Sequence, residues 1–151
     1  MFKSVLVVCI GNVCRSPTGE MLLKKRLKDF KIGSAGLGAL VNHPADATAK
    51  KVAFENNLDL DQHIARQVTK DICKEYDLIL VMEKKHIDLI CKLAPELRGK
   101  TMLFGHWIGQ REIADPYMKS KEAFESVYKL LDESAQKWAD VLIKQCRVSD
   151  D

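Results

Sequence analysis

The stretch Ser4-Val5-Leu6-Val7-Val8-Cys9-Ile10-Gly11-Asn12-Val13-Cys14-Arg15-Ser16-Pro17 decides the fold. Residues 5–8 form a continuous apolar run, the pattern of a parallel strand covered on both faces. The run stops at Gly11-Asn12, and Ser16-Pro17 then reads as a helix start. Ser16 would cap the helix and Pro17 would take its first position, where a missing N–H costs nothing. A strand that turns straight into a helix belongs to an open α/β sheet. There the turn lies beyond the carboxyl end of the strand and aims N–H groups and the positive end of the helix dipole at an anion.

The rest of the chain repeats this alternation. Further apolar runs at 78–82 and 101–104, and a weaker one at 31–35, predict three more strands. Helical spacing appears at 17–29, 45–56 and 84–93. The last helix is the clearest, with Phe124, Val127, Tyr128, Leu131, Ala135, Trp138 and Leu142 on one face. Breaks are expected at 33–38 and at Asn42-His43-Pro44, and an irregular stretch at 105–116 has the length of loops that carry function. The expected architecture is α/β. It is a single domain over 1–151 with a four-stranded parallel sheet flanked by helices on both faces, doubly wound and flavodoxin-like, its last few residues frayed.

With 151 residues the chain can build one ordinary core. Its 24 basic and 21 acidic residues are interspersed, and the basic patches at Lys24-Lys25-Arg26, Lys50-Lys51 and Lys84-Lys85 read as solvated helix faces. No basic stripe interleaved with aromatics points to nucleic acid. No apolar run approaches spanning length, so membrane insertion is not expected. Five irregularly spaced cysteines are no disulfide framework and fit a reducing, cytoplasmic setting.

Cys9 opens the loop and Arg15 closes it, with five residues between them. Both the helix terminus and the guanidinium favour a thiolate over a thiol, which makes Cys9 a candidate nucleophile. Arg15 can fork across two phosphoryl oxygens, and Gly11 lets the backbone curl. The loop is neither a nucleotide P-loop nor a dinucleotide fingerprint, since no Gly-Lys-Ser/Thr or second glycine follows at the required spacing. Cys9 and Cys14 lack the second Cys or His pair that a zinc site needs, so no metal is expected. A thiolate attacking a phosphate ester needs a proton donor for the leaving oxygen. Asp115, in Asp115-Pro116-Tyr117 at the end of the long irregular stretch, is the candidate, although the same tripeptide could be a plain turn.

Taken together, CIGNVCRSP, Ser34-Ala35-Gly36, His63-Ile64-Ala65-Arg66-Gln67, Tyr76-Asp77-Leu78-Ile79-Leu80 and Asp115-Pro116-Tyr117 give a resemblance over essentially the whole chain. The chain resembles the low-molecular-weight protein-tyrosine phosphatases. The resemblance implies Cys9 as nucleophile, Arg15 as phosphate clamp and Asp115 as general acid and then base. The phosphate loop would be Ile10, Gly11, Asn12, Val13, Cys14 and Ser16, with Ser34 and His63 in the polar network that holds it. Ile10 and Val13 would flank the nucleophile, and Leu40 and Tyr117 would form a rim that grips an aromatic ring. No cofactor is implied.

Animal members carry an aromatic residue at the Leu40 position and a second tyrosine at Met118. This less aromatic rim is similar to that of bacterial members tied to capsule or exopolysaccharide production. The implied partner is a tyrosine-phosphorylated protein, a membrane tyrosine autokinase. The family further implies a reversible Cys9–Cys14 disulfide as a redox switch. Gly19 stands out as a poor helix former in the first turn.

Three rivals remain. Arsenate reductase on the same scaffold needs relay cysteines close after the third strand, where Val81-Met82-Glu83 stands instead. A protein-arginine phosphatase would place threonine at Val13. A non-catalytic phosphotyrosine-binding module could dispense with Cys9 or Asp115, yet both are present.

Overall fold

The computed structural model describes the backbone of residues 1–150 and the side chains of residues 1–147. Four strands form one parallel sheet: β1 (Ser4–Cys9), β2 (Lys31–Gly36), β3 (Leu78–Val81) and β4 (Thr101–Leu103), in the order β2-β1-β3-β4. The strands are joined through α1 (Arg15–Arg26), α2 (Ala47–Glu55), α3 (Lys70–Lys74) and α4 (Lys84–Leu93), and α5 (Lys121–Asp150) follows the last strand. The doubly wound α/β expectation is the architecture found. The expected fraying concerns the extreme carboxyl end, which lies outside the described residues.

Alternation along β1 sorts the core into two layers. Val5, Val7 and Cys9 face the layer made with Leu22 and Leu23 of α1, Val52 of α2 and Phe124, Leu131 and Trp138 of α5. Leu6 and Val8 face the other, with Cys73 of α3, Ile90 of α4 and Leu97. Every residue of β1 is buried, which is why its sequence is apolar without a polar alternate. Trp138 docks α5 to the sheet edge by donating its indole N–H to the carbonyl of Phe104 (2.9 Å).

Three local expectations change. Helix α1 begins at Arg15 with Cys14 as the cap residue, so Ser16 is not the cap and Pro17 lies inside the first turn, where no intrahelical donor is required. Gly33 is no break: β2 runs through it to Gly36, and the Tyr76 hydroxyl packs where a Cβ would stand. Gly19 has a packing reason. A Cβ there would come within 3.1 Å of the Phe104 ring and 3.2 Å of Val7, so glycine lets α1 sit close on β1. Helix α3 escapes sequence reading because five residues are too few to show a helical period.

Candidate active site

The segment after β1 curls into a ring because its carbonyls are drawn outward. Cys9 O accepts from Leu37 N, Ile10 O from Gly38 N (3.0 Å), Gly11 O from Leu40 N (3.0 Å) and Val13 O from Asp46 N (2.8 Å). Cys14 O accepts from Thr18 Oγ1 (2.9 Å), and Asn12 O takes the His63 Nε2–H. A peptide unit is planar, so carbonyls that face out turn the following N–H groups in. The ring therefore presents a nest of donors at the amino end of α1. Gly36 is required beside it, since a Cβ there would lie 2.3 Å from Ile10 O.

Asn12 is the keystone of this ring. It is fully buried and left-handed (φ 58°), a conformation that asparagine tolerates better than most residues. Its Nδ2 donates to Ser16 Oγ (2.7 Å) and Ser34 Oγ (3.1 Å), and its Oδ1 accepts from Arg66 N (2.9 Å). Ser34 passes its own proton to Glu20 (2.6 Å), which is paired with Lys24 (2.7 Å). Ser16 Oγ lies 2.9 Å from Cys9 Sγ. Because Asn12 already donates to that hydroxyl, its hydrogen is free to point at the sulfur. Ser16 thus serves the thiol rather than the helix end. Ser34 and His63 both bond to Asn12, one at its side-chain amide and the other at its carbonyl.

Arg15 is 2% exposed and its guanidinium is held on one side only. Nη1 donates to Glu83 Oε2 (2.7 Å) and to Ile113 O (2.8 Å). Nη2 lies 3.7 Å from Asp115 Oδ2, and Nε is buried with no partner among the described residues. A buried donor left unpaired is costly, and one at the edge of a ring of N–H groups awaits an oxyanion. Burial pushes the Glu83 carboxyl up, but the hydrogen bond and charge of Arg15 outweigh it and hold Glu83 below the usual carboxylate value.

The irregular stretch is stitched to the sheet next to Arg15. Ile113 N donates to Met82 O (2.9 Å), and Gly105 pairs with Arg111. Asp115 follows two residues later with its side chain about half exposed, and its Oδ1 accepts from Tyr117 N (3.0 Å). The Asp-Pro-Tyr turn therefore exists, and it places a carboxylate across from Cys9.

Cys9, Arg15 and Asp115 line one cleft with Ile10, Gly11, Val13, Cys14, Leu40 and Tyr117. Leu40 and Tyr117 are exposed at its mouth, at 37% and 43%. The apolar side chains stand above the donor ring, so the cleft suits a flat apolar group carrying a phosphoryl head. Cys14 is buried behind the loop, and burial, then Asp46, Cys9 and Asp115, push its thiol far up, so it stays protonated. Cys73 lies in the core layer on the opposite face of the sheet from Cys9, and Cys91 is on α4 beside that layer, so neither is placed to relay a disulfide.

Sequence reading missed Glu83, Glu20 and Arg66. A signal for Glu83 existed, since it directly follows β3 at the ligand-binding end of the sheet. Arg66 was quoted only as part of a motif; its Nε donates to Ser34 O (2.9 Å).

Comparison with known proteins agrees with this geometry. The family model for low molecular weight phosphotyrosine protein phosphatase matches residues 4–148. The chain is 62% identical over 142 residues to AmsI of Erwinia amylovora, covering 94% of this chain and 99% of that protein. The crystal structure of that tyrosine phosphatase superposes with a TM-score of 0.91 over 93% of each chain. Wzb of Salmonella typhimurium, a low molecular weight protein-tyrosine-phosphatase, is 58% identical over 94% of this chain and 95% of its own length. Wzb of Vibrio vulnificus, solved in complex with benzylphosphonate, is 53% identical with a TM-score of 0.91, covering 93% of this chain and 99% of that one. Matched by the family model from residue 4 to residue 148, the chain belongs to the low molecular weight phosphotyrosine protein phosphatase family.

Proposed function

We propose that this chain hydrolyses phosphotyrosine in proteins through a cysteinyl phosphate on Cys9. The observation that carries this reading is the ring of outward carbonyls around Cys9, closed by Arg15 with a buried, unpaired Nε. The phosphoryl oxygens take the loop N–H groups and the free edge of Arg15, which places phosphorus over the sulfur. Cys9 Sγ bonds to phosphorus as the P–O bond to the phenol breaks, and Asp115 gives its proton to the leaving oxygen. Asp115, now a carboxylate, takes a proton from the water that attacks the cysteinyl phosphate, which releases phosphate and restores the thiolate. Ser16, hydrogen-bonded to the sulfur, stabilises its negative charge at both ends of the cycle.

The test compares wild type with Asp115→Asn. We expect kcat/KM, which reports only the first step, to fall about 10² to 10³-fold on a phosphotyrosine peptide. The fall should be smaller on p-nitrophenyl phosphate, whose leaving group departs without much help. Equal rates for both enzymes on both substrates would reject the assignment.

The relatives named above are bacterial, and the rim pairs the exposed Leu40 with a single tyrosine, Tyr117. Both support a role in capsule or exopolysaccharide production, with a membrane tyrosine autokinase as substrate. Among the described residues no helix is long and apolar enough to cross a membrane, and the proposed meeting with that kinase's tail is on the cytoplasmic side. Faster turnover of phosphopeptides from such a tail than of unrelated phosphotyrosine peptides is the expected result.

The redox switch is part of the same reading. Peroxide converts the Cys9 thiolate to a sulfenic acid. The Cys14 sulfur then displaces water from it, forming the disulfide with net loss of two hydrogens. Oxidation also removes the negative charge on Cys9, one of the groups holding Cys14 protonated. Intact mass after mild peroxide should fall by about 2 Da. A gain of oxygen on Cys9 would overturn the switch.

A further inference from the structure

His86 is fully buried on α4, yet Nε2 has no hydrogen-bond partner among the described residues. Its other nitrogen, Nδ1, accepts from Glu83 N (3.2 Å), so Nδ1 carries a lone pair and a neutral ring must carry its hydrogen on Nε2. The acceptor that Nε2 faces is Glu83 Oε2, 3.5 Å away. That oxygen is the one that receives Arg15 Nη1 at 2.7 Å. Burial first, then the charge of Arg15, depresses the His86 pKa to about 4, against the opposing pull of Glu83 and Glu112, while Lys85 also depresses it. The ring is therefore neutral around neutral pH, where the carboxylate of Glu83 is charged.

We infer that His86 is a positioning residue for the phosphoryl clamp. Its Nδ1 fixes the backbone of Glu83, and its Nε2–H braces the carboxylate that holds Arg15. The inference rests on Arg15 being the clamp, as proposed above. The need for a brace follows from charge. A bound phosphoryl dianion draws on the same guanidinium that neutralises Glu83, and Asp115 lies 3.7 Å from it as well. As Arg15 shares its charge among these anions, Glu83 gains from a second donor. A movement of a few tenths of an ångström brings Oε2 within full hydrogen-bond distance of Nε2. Without that brace, Glu83 would follow or repel the incoming anion, and the free edge of Arg15 would lose its aim.

Two isosteres separate the ring's nitrogens. In His86→Asn the amide oxygen can replace Nδ1 as acceptor for Glu83 N, but nothing replaces Nε2–H. In His86→Gln the amide N–H reaches the Nε2 position. Binding of inorganic phosphate by calorimetry reads the clamp without any turnover, so it is independent of whether the hydrolytic mechanism is correct.

We expect His86→Asn to weaken phosphate binding roughly 5-fold and to raise KM for an aryl phosphate by a similar factor, with kcat within about 2-fold. His86→Gln should recover most of the affinity. In a Glu83→Gln background, His86→Asn should change phosphate affinity no further. Unchanged phosphate affinity in His86→Asn, with only a lower melting temperature, would overturn the inference, as would an additive loss in the Glu83→Gln background. Imidazole 15N spectra of the wild-type protein give a reading that needs no variant. The expected pattern is a neutral, Nε2-protonated His86 from about pH 5 to 8 whose signal shifts when phosphate is added. An Nδ1-protonated ring, or a signal indifferent to phosphate, would overturn the proposal.

Discussion

Cys9→Ser is expected to lower kcat on p-nitrophenyl phosphate by at least about 10⁴-fold while leaving inorganic phosphate bound. On the proposed reading the sulfur attacks phosphorus from within the donor ring, with the hydroxyl of Ser16 at 2.9 Å. A serine hydroxyl in its place keeps its proton, since the side chain hydrogen-bonded to Cys9 is the hydroxyl of Ser16, which is no base. The binding apparatus is untouched by the change. Arg15 keeps Glu83 and Ile113 O, and the carbonyls of the ring remain bonded outward. Steady-state kinetics and phosphate calorimetry on one preparation separate the two effects. Loss of phosphate binding together with activity would mean that Cys9 shapes the ring instead of reacting in it.

Arg15→Lys carries the second largest expected effect, a fall in kcat/KM on the order of 10³-fold. The guanidinium divides its work by edge. One edge is committed to Glu83 and Ile113 O, and the other, with Nη2 and the unpaired Nε, is left for substrate. An ammonium is a point charge without edges. If it stays with Glu83 it cannot bridge two phosphoryl oxygens, and if it turns to the phosphoryl group it leaves the partly buried Glu83 without its partner. The protein should therefore also lose stability, by about 1 to 3 kcal/mol, as one hydrogen-bonded charge pair is broken in a poorly solvated place. Thermal melting with and without phosphate checks this. A lysine variant retaining more than a tenth of the wild-type kcat/KM would show that charge alone suffices.

The sheet and the reacting groups were legible in the sequence because each leaves a local mark. Residues 5–8 are apolar without interruption, since β1 is covered on both faces. Cys9 and Arg15 fall in one short loop, and Asp115 stands in a proline-stiffened turn. What could not be read locally is the network that makes these residues work. Ser16 looked like a helix cap, and it became a donor to sulfur because the chain tightens one residue earlier, at Cys14. Glu83 and His86 drew no reading of their own in the sequence. Their meaning appears only once β1 and β3 lie side by side and bring Arg15 to Glu83, 68 residues apart in the chain. Gly19 looked like a flaw in α1 until Phe104 and Val7 were found against it.

The bonds that Asn12 makes span the chain as well: 22 residues to Ser34, 51 to His63 and 54 to Arg66. The left-handed turn at Asn12 is unfavourable by itself and is paid for by partners that arrive only when β2 and the 60s segment have docked. The donor ring thus cannot close before those distant segments have docked. Turnover becomes a faithful report on completed folding: a nascent or partly unfolded chain carries the whole CIGNVCRSP sequence yet holds no phosphate. A newly made molecule would leave the signalling phosphotyrosines of its host untouched until its own architecture was finished.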